Sequence, residues 1–119
     1  MKRDLELVRK IVLTMEDSPG GYSPEMKIEG YSDEEVGYHC YLIVDAGLAT
    51  GVNMTAYSER SPNWLVTCLT WAGHEFAEAS RDEGRWKQAW GIVKEKGGSV
   101  TIAVLSELLT ALMKKALMP

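Results

Sequence analysis

Residues 30–51 read GYSDEEVGYHCYLIVDAGLATG, and this stretch decides the fold. Ser32 followed three residues later by Glu35 is the pattern of a capping box, in which the hydroxyl accepts from the Glu35 amide and the Glu35 carboxylate reaches back. Asp33, Glu34 and Glu35 also suit the positive end of a helix dipole. The pattern predicts a helix running to about Ala46, with Gly47 as its left-handed stop. Inside it, Val36, Cys40 and Ile43 recur at i, i+4 and i+7, which marks the core face. The opposite face carries Glu34, Tyr38, Tyr41 and Asp45. Gly37 costs a helix roughly 1 kcal/mol against alanine, which points to a closely approaching neighbour.

Working outward, Asp4–Asp17 reads as a first helix, capped by Asp4, with Leu5, Val8, Val12 and Met15 on one face and Ile11 beside them. SPGG at 18–21 ends it, and MKIEG at 26–30 reads as a short strand. After Gly47, residues 49–57 alternate, with Val52, Met54 and Ala56 on one side and Asn53, Thr55 and Tyr57 on the other. Trp64–Leu69 returns as a second strand, so the two form a hairpin with a tip of about six residues. Thr70 caps a third helix whose inner face is expected to hold Trp71, Phe76 and Ala79. A break near Gly84 separates it from a helical run through Trp86, Trp90 and Val93, and Gly97–Gly98 ends that run. The last helix, from about Thr101, carries Ile102, Leu105, Leu108, Leu109, Leu112, Met113 and Leu117, with Lys114 and Lys115 suited to its C-terminal dipole.

The 119 residues are 45% hydrophobic and 25% charged, ordinary values for a globular protein with a modest core. No apolar run is long enough to span a membrane, and the charged start MKRDLELVRK has no export-signal core. Two cysteines make no disulfide framework, so a cytoplasmic setting is expected. The net charge of −4 is unevenly spread. Residues 1–17 balance. Residues 18–46 hold Glu25, Glu29, Asp33, Glu34, Glu35 and Asp45 against Lys27 alone. The remainder is close to neutral.

The order helix, short strand, helix ending in AGL, hairpin, then LTWAGHEF at 69–76 resembles the winged helix-turn-helix family. More narrowly, MKRDLELVRKIVL at 1–13, GYSDEEVGYH at 30–39, DAGLATG at 45–51, LTWAGHEF and KEKGGSV at 94–100 resemble the uncharacterised bacterial and phage family called domain of unknown function 2513. The resemblance covers nearly the whole chain. It implies an α+β fold: a small winged-helix-like domain, with a winged core over 1–80 and a C-terminal helical extension over 81–119. It also implies a gene of prophages and mobile elements, and it brings no catalytic residues with it. The usual pair of helices before the wing is reduced here to one, because 18–31 is rich in Gly and Pro.

Chemistry-bearing constellations are sparse. His39, Cys40, Cys68 and His74 are the residues a zinc site would draw on, but zinc ligands come in short paired spacings. Adjacent helix positions such as 39 and 40 point about 100° apart. Neither cysteine is followed by an oxyanion-type turn, and no phosphate-binding glycine motif is present. No metal, no cofactor and no enzymatic activity are therefore expected.

Two binding readings remain. In the first, Asp33, Glu34, Glu35, Tyr38, Tyr41, Asp45 and Trp64 form an acidic, aromatic face for a protein partner with a basic surface, of host or phage origin. Tyrosine and tryptophan are enriched among interface anchors, and Trp86 or Trp90 could add to them. A nucleic-acid-handling host-defence complex such as CRISPR-Cas is the expected kind of target, an inference from the resemblance. In the alternative, the chain is a DNA-binding winged-helix regulator using Arg3, Arg9 and Lys10, the hairpin-tip Arg60, and Arg81, Arg85 and Lys87. Three acids at the start of a recognition helix oppose a phosphate field. The wide apolar stripe of the last helix leaves room for a homodimer seam.

Overall fold

The computed structural model describes residues 1–118. It is α+β: five helices and one antiparallel hairpin, in the order α1 (Leu5–Asp17), α2 (Asp33–Asp45), β1 (Ala49–Asn53), β2 (Trp64–Leu69), α3 (Trp71–Arg81), α4 (Glu83–Glu95) and α5 (Ile102–Leu117). The chain forms two compact units, Met1–Glu75 and Phe76–Pro119.

In the first unit, each helix starts where a side chain can satisfy the open amides of its first turn. Asp4 caps α1, its Oδ1 accepting from the amides of Glu6 and Leu7 at 2.9 and 3.3 Å. Ser32 and Glu35 close the predicted capping box on α2, at 3.1 and 3.0 Å. At the other end, Gly47 takes φ +78°. This lets the Leu48 amide bond the Ile43 carbonyl and the Gly47 amide bond that of Val44, each at 3.0 Å, a Schellman closure. The chain then enters β1 directly.

β1 and β2 pair with a bulge between Ala49 and Gly51; beyond it Val52 faces Leu65 and Asn53 faces Trp64. Thr50 and Thr67 bridge the strands through their hydroxyls at 2.7 Å. The strand expected to reach Tyr57 stops at Asn53, because the connection folds on side-chain bonds instead. Asn53 Oδ1 accepts from the Thr55 amide and the Glu59 carboxylate from the Ala56 amide, both at 3.0 Å. The strand expected over 26–30 is not formed; the nearest approach to pairing is one bond from the Ser23 amide to the Thr67 carbonyl, 2.8 Å.

The core of this unit is built on α1, where Leu5, Leu7, Val8, Ile11, Val12 and Met15 are all buried. Val36, Cys40 and Ile43 of α2 and Val66 of β2 join them. Thr70 ties the end of α2 to the start of α3. Its amide donates to the Leu48 carbonyl at 3.0 Å and its hydroxyl to the Gly47 carbonyl at 2.6 Å. That hydroxyl also accepts from the Gly73 amide at 3.1 Å. Gly73 packs so tightly on this turn that a Cβ would run into the Leu48 carbonyl oxygen.

In the second unit, Asp82 breaks the helical run two residues before the expected Gly84 and caps α4 through the Arg85 amide at 2.7 Å. Thr101 caps α5 through the Val104 amide at 3.2 Å. Leu105 and Leu109 of α5 are wholly buried, as are Ala77 of α3 and Ala89 of α4, with Phe76, Ala79, Trp86 and Val93 nearly so.

Two aromatic expectations are corrected. Trp71, expected on the inner face of α3, is 82% exposed, with its indole N–H donating to Glu75 at 3.0 Å. Phe76 and small residues take the buried positions of α3 instead. Trp86, considered as an exposed anchor, is buried and meets the Trp90 ring edge-on at 5.8 Å. No helix among the described residues is long and apolar enough to cross a membrane.

Candidate functional site

The outer face of α2 and the start of β2 bring three aromatic rings into one row. Tyr38 and Tyr41 lie 5.9 Å apart between centroids, and Tyr41 and Trp64 lie 5.8 Å apart. The rings are tilted by 43° and 49°, giving a stepped surface rather than a flat stack. All three are half-buried. Glu34 and Asp45, both exposed, stand at the two ends of the stripe formed by 34, 38, 41 and 45. They stand eleven positions apart on the helix, about 16 Å along the axis.

Gly37 brings the row together. It lies one residue before Tyr38 on the side facing the hairpin, and a Cβ there would overlap the Asn63 side-chain amide. The glycine therefore lets the segment entering β2 press against α2, which carries Trp64 to Tyr41. Gly51 does the same on the other strand, where a Cβ would come within 2.7 Å of the Leu65 carbonyl oxygen and of the Val44 side chain.

The three acids that open α2 have local partners. Glu35 is held in the capping box. Asp33 sits 3.7 Å from Lys27, both well exposed, and Glu34 accepts from the Ser61 hydroxyl at 3.4 Å. Such surface contacts contribute little and do not neutralise the face. Together with Ser58, Glu59, Arg60 and Asn63, Asp33 and Glu34 line a groove of about 360 Å³ between the first turn of α2 and the hairpin connection. Asp45 is the last residue of α2, where no basic residue occupies the final turn. A carboxylate at that end opposes the helix dipole.

The basic residues considered for nucleic acid differ in exposure and partners. Arg9 is 5% exposed, with Glu6 at 3.7 Å, so its place on a solvent-facing basic stripe is corrected. Its long side chain lets a cation be built into a largely apolar helix. Lys10 settles over the Tyr31 ring, 5.5 Å from its centroid. Arg3 and Arg60, both in the first unit, are exposed. In the second unit, Arg81 and Lys87 are exposed, while Arg85 is half-buried and donates to the Ala79 carbonyl at 3.4 Å. Positions 85 and 87, two apart on α4, face different sides. The first unit carries six Lys and Arg against twelve Asp and Glu, a net −6; the second carries seven against five, a net +2.

The histidines and cysteines hold structural posts. His39 is buried, its Nδ1 2.8 Å from the Glu35 carbonyl and its Nε2 accepting the Asp4 amide at 2.9 Å. His74 pairs with Glu16 at 3.0 Å. Cys40 is buried, and that burial pushes its thiol up to about 11; Cys68 is only half-buried. Tyr31, whose hydroxyl donates to Asp4 at 3.2 Å, is also raised, first by burial and then by the nearby Asp4 charge. Among the described residues, no three His, Cys, Asp or Glu side chains form a set that could hold a metal ion.

Sequence reasoning missed one surface. The hairpin side bearing the Val52–Leu65 pair leaves those residues 48% and 49% exposed. Met54 is 57% exposed and Tyr57 fully so. Alternation marked Val52 and Met54 as facing the same way but could not say that nothing covers them.

The family described as "Hypothetical protein (DUF2513)" matches residues 2–99. An uncharacterized protein of Haemophilus influenzae is 27% identical over 120 residues, spanning 98% of this chain and 99% of that relative. No solved structure matches.

Proposed function

The chain belongs to the DUF2513 family, and from the chemistry of its own surface we propose that it is a non-catalytic interaction protein. It binds a protein partner with a basic surface through the row Tyr38, Tyr41 and Trp64 and the carboxylates of Glu34 and Asp45. The observation that carries this reading is the contiguity of three half-open aromatic rings on the more acidic unit. Aromatic anchors supply binding energy, and surrounding charge selects the partner and speeds encounter.

We read residues 1–75 as a reduced winged helix, with α2 in the place of the recognition helix and the hairpin as the wing. The acids at the head of α2 then oppose a phosphate field. Such a scaffold suits a phage or mobile-element protein that occupies the nucleic-acid surface of a host-defence complex. The DNA-binding regulator is the weaker reading, since Arg9 is buried and the unit holding the wing has a net charge of −6.

The test is an affinity capture from a bacterial host, run in parallel with wild-type protein and a Glu34→Lys, Tyr41→Leu, Asp45→Lys triple variant. A partner retained by the first and lost by the second supports the proposal. Equal capture by both overturns it. So does tight binding to random duplex DNA that collapses with added salt, the signature of phosphate contacts.

A further inference from the structure

We infer that the aromatic row is an arginine-reading surface, so that the partner segment it takes is arginine-bearing rather than merely cationic. This rests on the interaction reading above and names the chemistry of its occupant. The row, rather than the carboxylates, carries the inference. Tyr38, Tyr41 and Trp64 set three tilted, half-buried rings in a row at successive centroid spacings of 5.9 and 5.8 Å. A guanidinium is planar, weakly hydrated and stacks on such faces, whereas an ammonium is a compact, strongly hydrated point charge.

Charge complementarity fixes the sign of the occupant. The unit bearing the row has a net charge of −6, so a second copy laid against it through the same face would be repelled. Glu34 and Asp45 flank the rings at the two ends, about 16 Å apart along α2. Each offers a carboxylate to a guanidinium that reaches past the ring edge, where the planar fork can engage both oxygens. Glu34 also lines the groove of about 360 Å³ together with Arg60, Ser61 and Asn63, the last being the chain neighbour of Trp64. The stretch between the two carboxylates matches roughly five residues of extended chain, room for more than one arginine.

The experiment uses the full chain and two fluorescein-labelled ten-residue peptides of equal charge, one with four arginines and one with four lysines, read by anisotropy and by Trp fluorescence. The expected result is at least tenfold tighter binding of the arginine peptide. Tyr41→Leu, which keeps an apolar side chain but removes the ring, should erase most of that preference while leaving the circular dichroism spectrum unchanged. Equal affinity for both peptides overturns the inference, as does a Tyr41→Leu protein that keeps the full preference. If the captured partner still depends on the residues changed in the triple variant while arginine and lysine peptides bind alike, the interaction reading stands and the arginine inference alone falls.

Discussion

The imidazole of His39 accepts the backbone amide of Asp4 at 2.9 Å, joining residues 35 positions apart in the chain. The amide can only donate, so Nε2 carries no proton, and the Nδ1–H donates to the Glu35 carbonyl at 2.8 Å. A neutral, buried imidazole thus fastens the first turn of α1 to α2, and the Tyr31 hydroxyl secures Asp4 from the other side. Replacing His39 with leucine leaves the Asp4 amide without this acceptor at a site that is 1% exposed. The expected cost is about 1–3 kcal/mol, seen as a lowered midpoint in urea unfolding. His39→Gln, whose amide oxygen can accept the Asp4 amide, should recover part of the loss. A leucine variant as stable as wild type would remove this bond from the account of the fold.

Glycines in this chain divide by what surrounds them. At Gly73 a methyl group would meet the Leu48 carbonyl, a backbone atom that cannot swing aside. Gly73→Ala should therefore destabilise by about 1–3 kcal/mol or prevent folding, the usual range for overpacking. Gly91, inside α4, has open space for at least 4 Å around the point where a methyl group would stand. There alanine should stabilise by about 0.5–1 kcal/mol, through helix propensity and a more restricted unfolded chain. Thermal melts of the two variants should move in opposite directions, and a shared direction would contradict the packing described for Gly73.

Burial holds the Cys40 thiol protonated until about pH 11, a hydrogen bond with the Val66 backbone offsetting only part of the effect. At pH 8 about one Cys40 side chain in a thousand is then a thiolate, the form that reacts. Cys68 is half-buried. In native protein a maleimide should label Cys68 far ahead of Cys40, and both should react once urea unfolds the chain. Mass spectrometry of the labelled peptides reads this directly, and comparable native rates for the two thiols would show Cys40 to be open.

How much of this could be read from the sequence depends on the range of the interaction. The capping box at Ser32 and Glu35, the glycine stop at Gly47 and the second strand are local patterns, and they stand where the residues place them. The pairing of Tyr38 with Tyr41 on one helix face is likewise local, since i and i+3 are neighbours. The arrival of Trp64 beside Tyr41 is not local; it depends on Gly37 yielding space to Asn63, a contact 26 positions apart in the chain. Trp71 misleads because size suggests burial, while the buried positions of α3 go to Phe76, Ala77, Ala79 and Ser80. Arg9 misleads in the opposite sense, because charge suggests exposure although a long aliphatic stem can be buried. MKIEG has the composition of a strand, but a ladder needs a partner edge, and here it makes none.

Asp45 separates structural from functional duty more sharply than any other acid of α2. Glu35 closes the capping box, and Asp33 and Glu34 sit at the end of the helix where negative charge is favourable. Asp45 sits at the opposite end, exposed, with no basic residue in the last turn. Removing its charge should stabilise the helix by about 0.5 kcal/mol, the usual size of a dipole term near the surface. The proposed interface needs that same charge at the far end of the aromatic row. Asp45→Asn is thus expected to raise the melting temperature slightly while weakening partner capture and arginine-peptide binding severalfold, a trade of stability for activity that is common at binding sites. Asn preserves the side chain's size, so the two effects isolate the charge. A variant that melts higher and binds as well as wild type would take Asp45 out of the interface and leave the helix end as a tolerated defect.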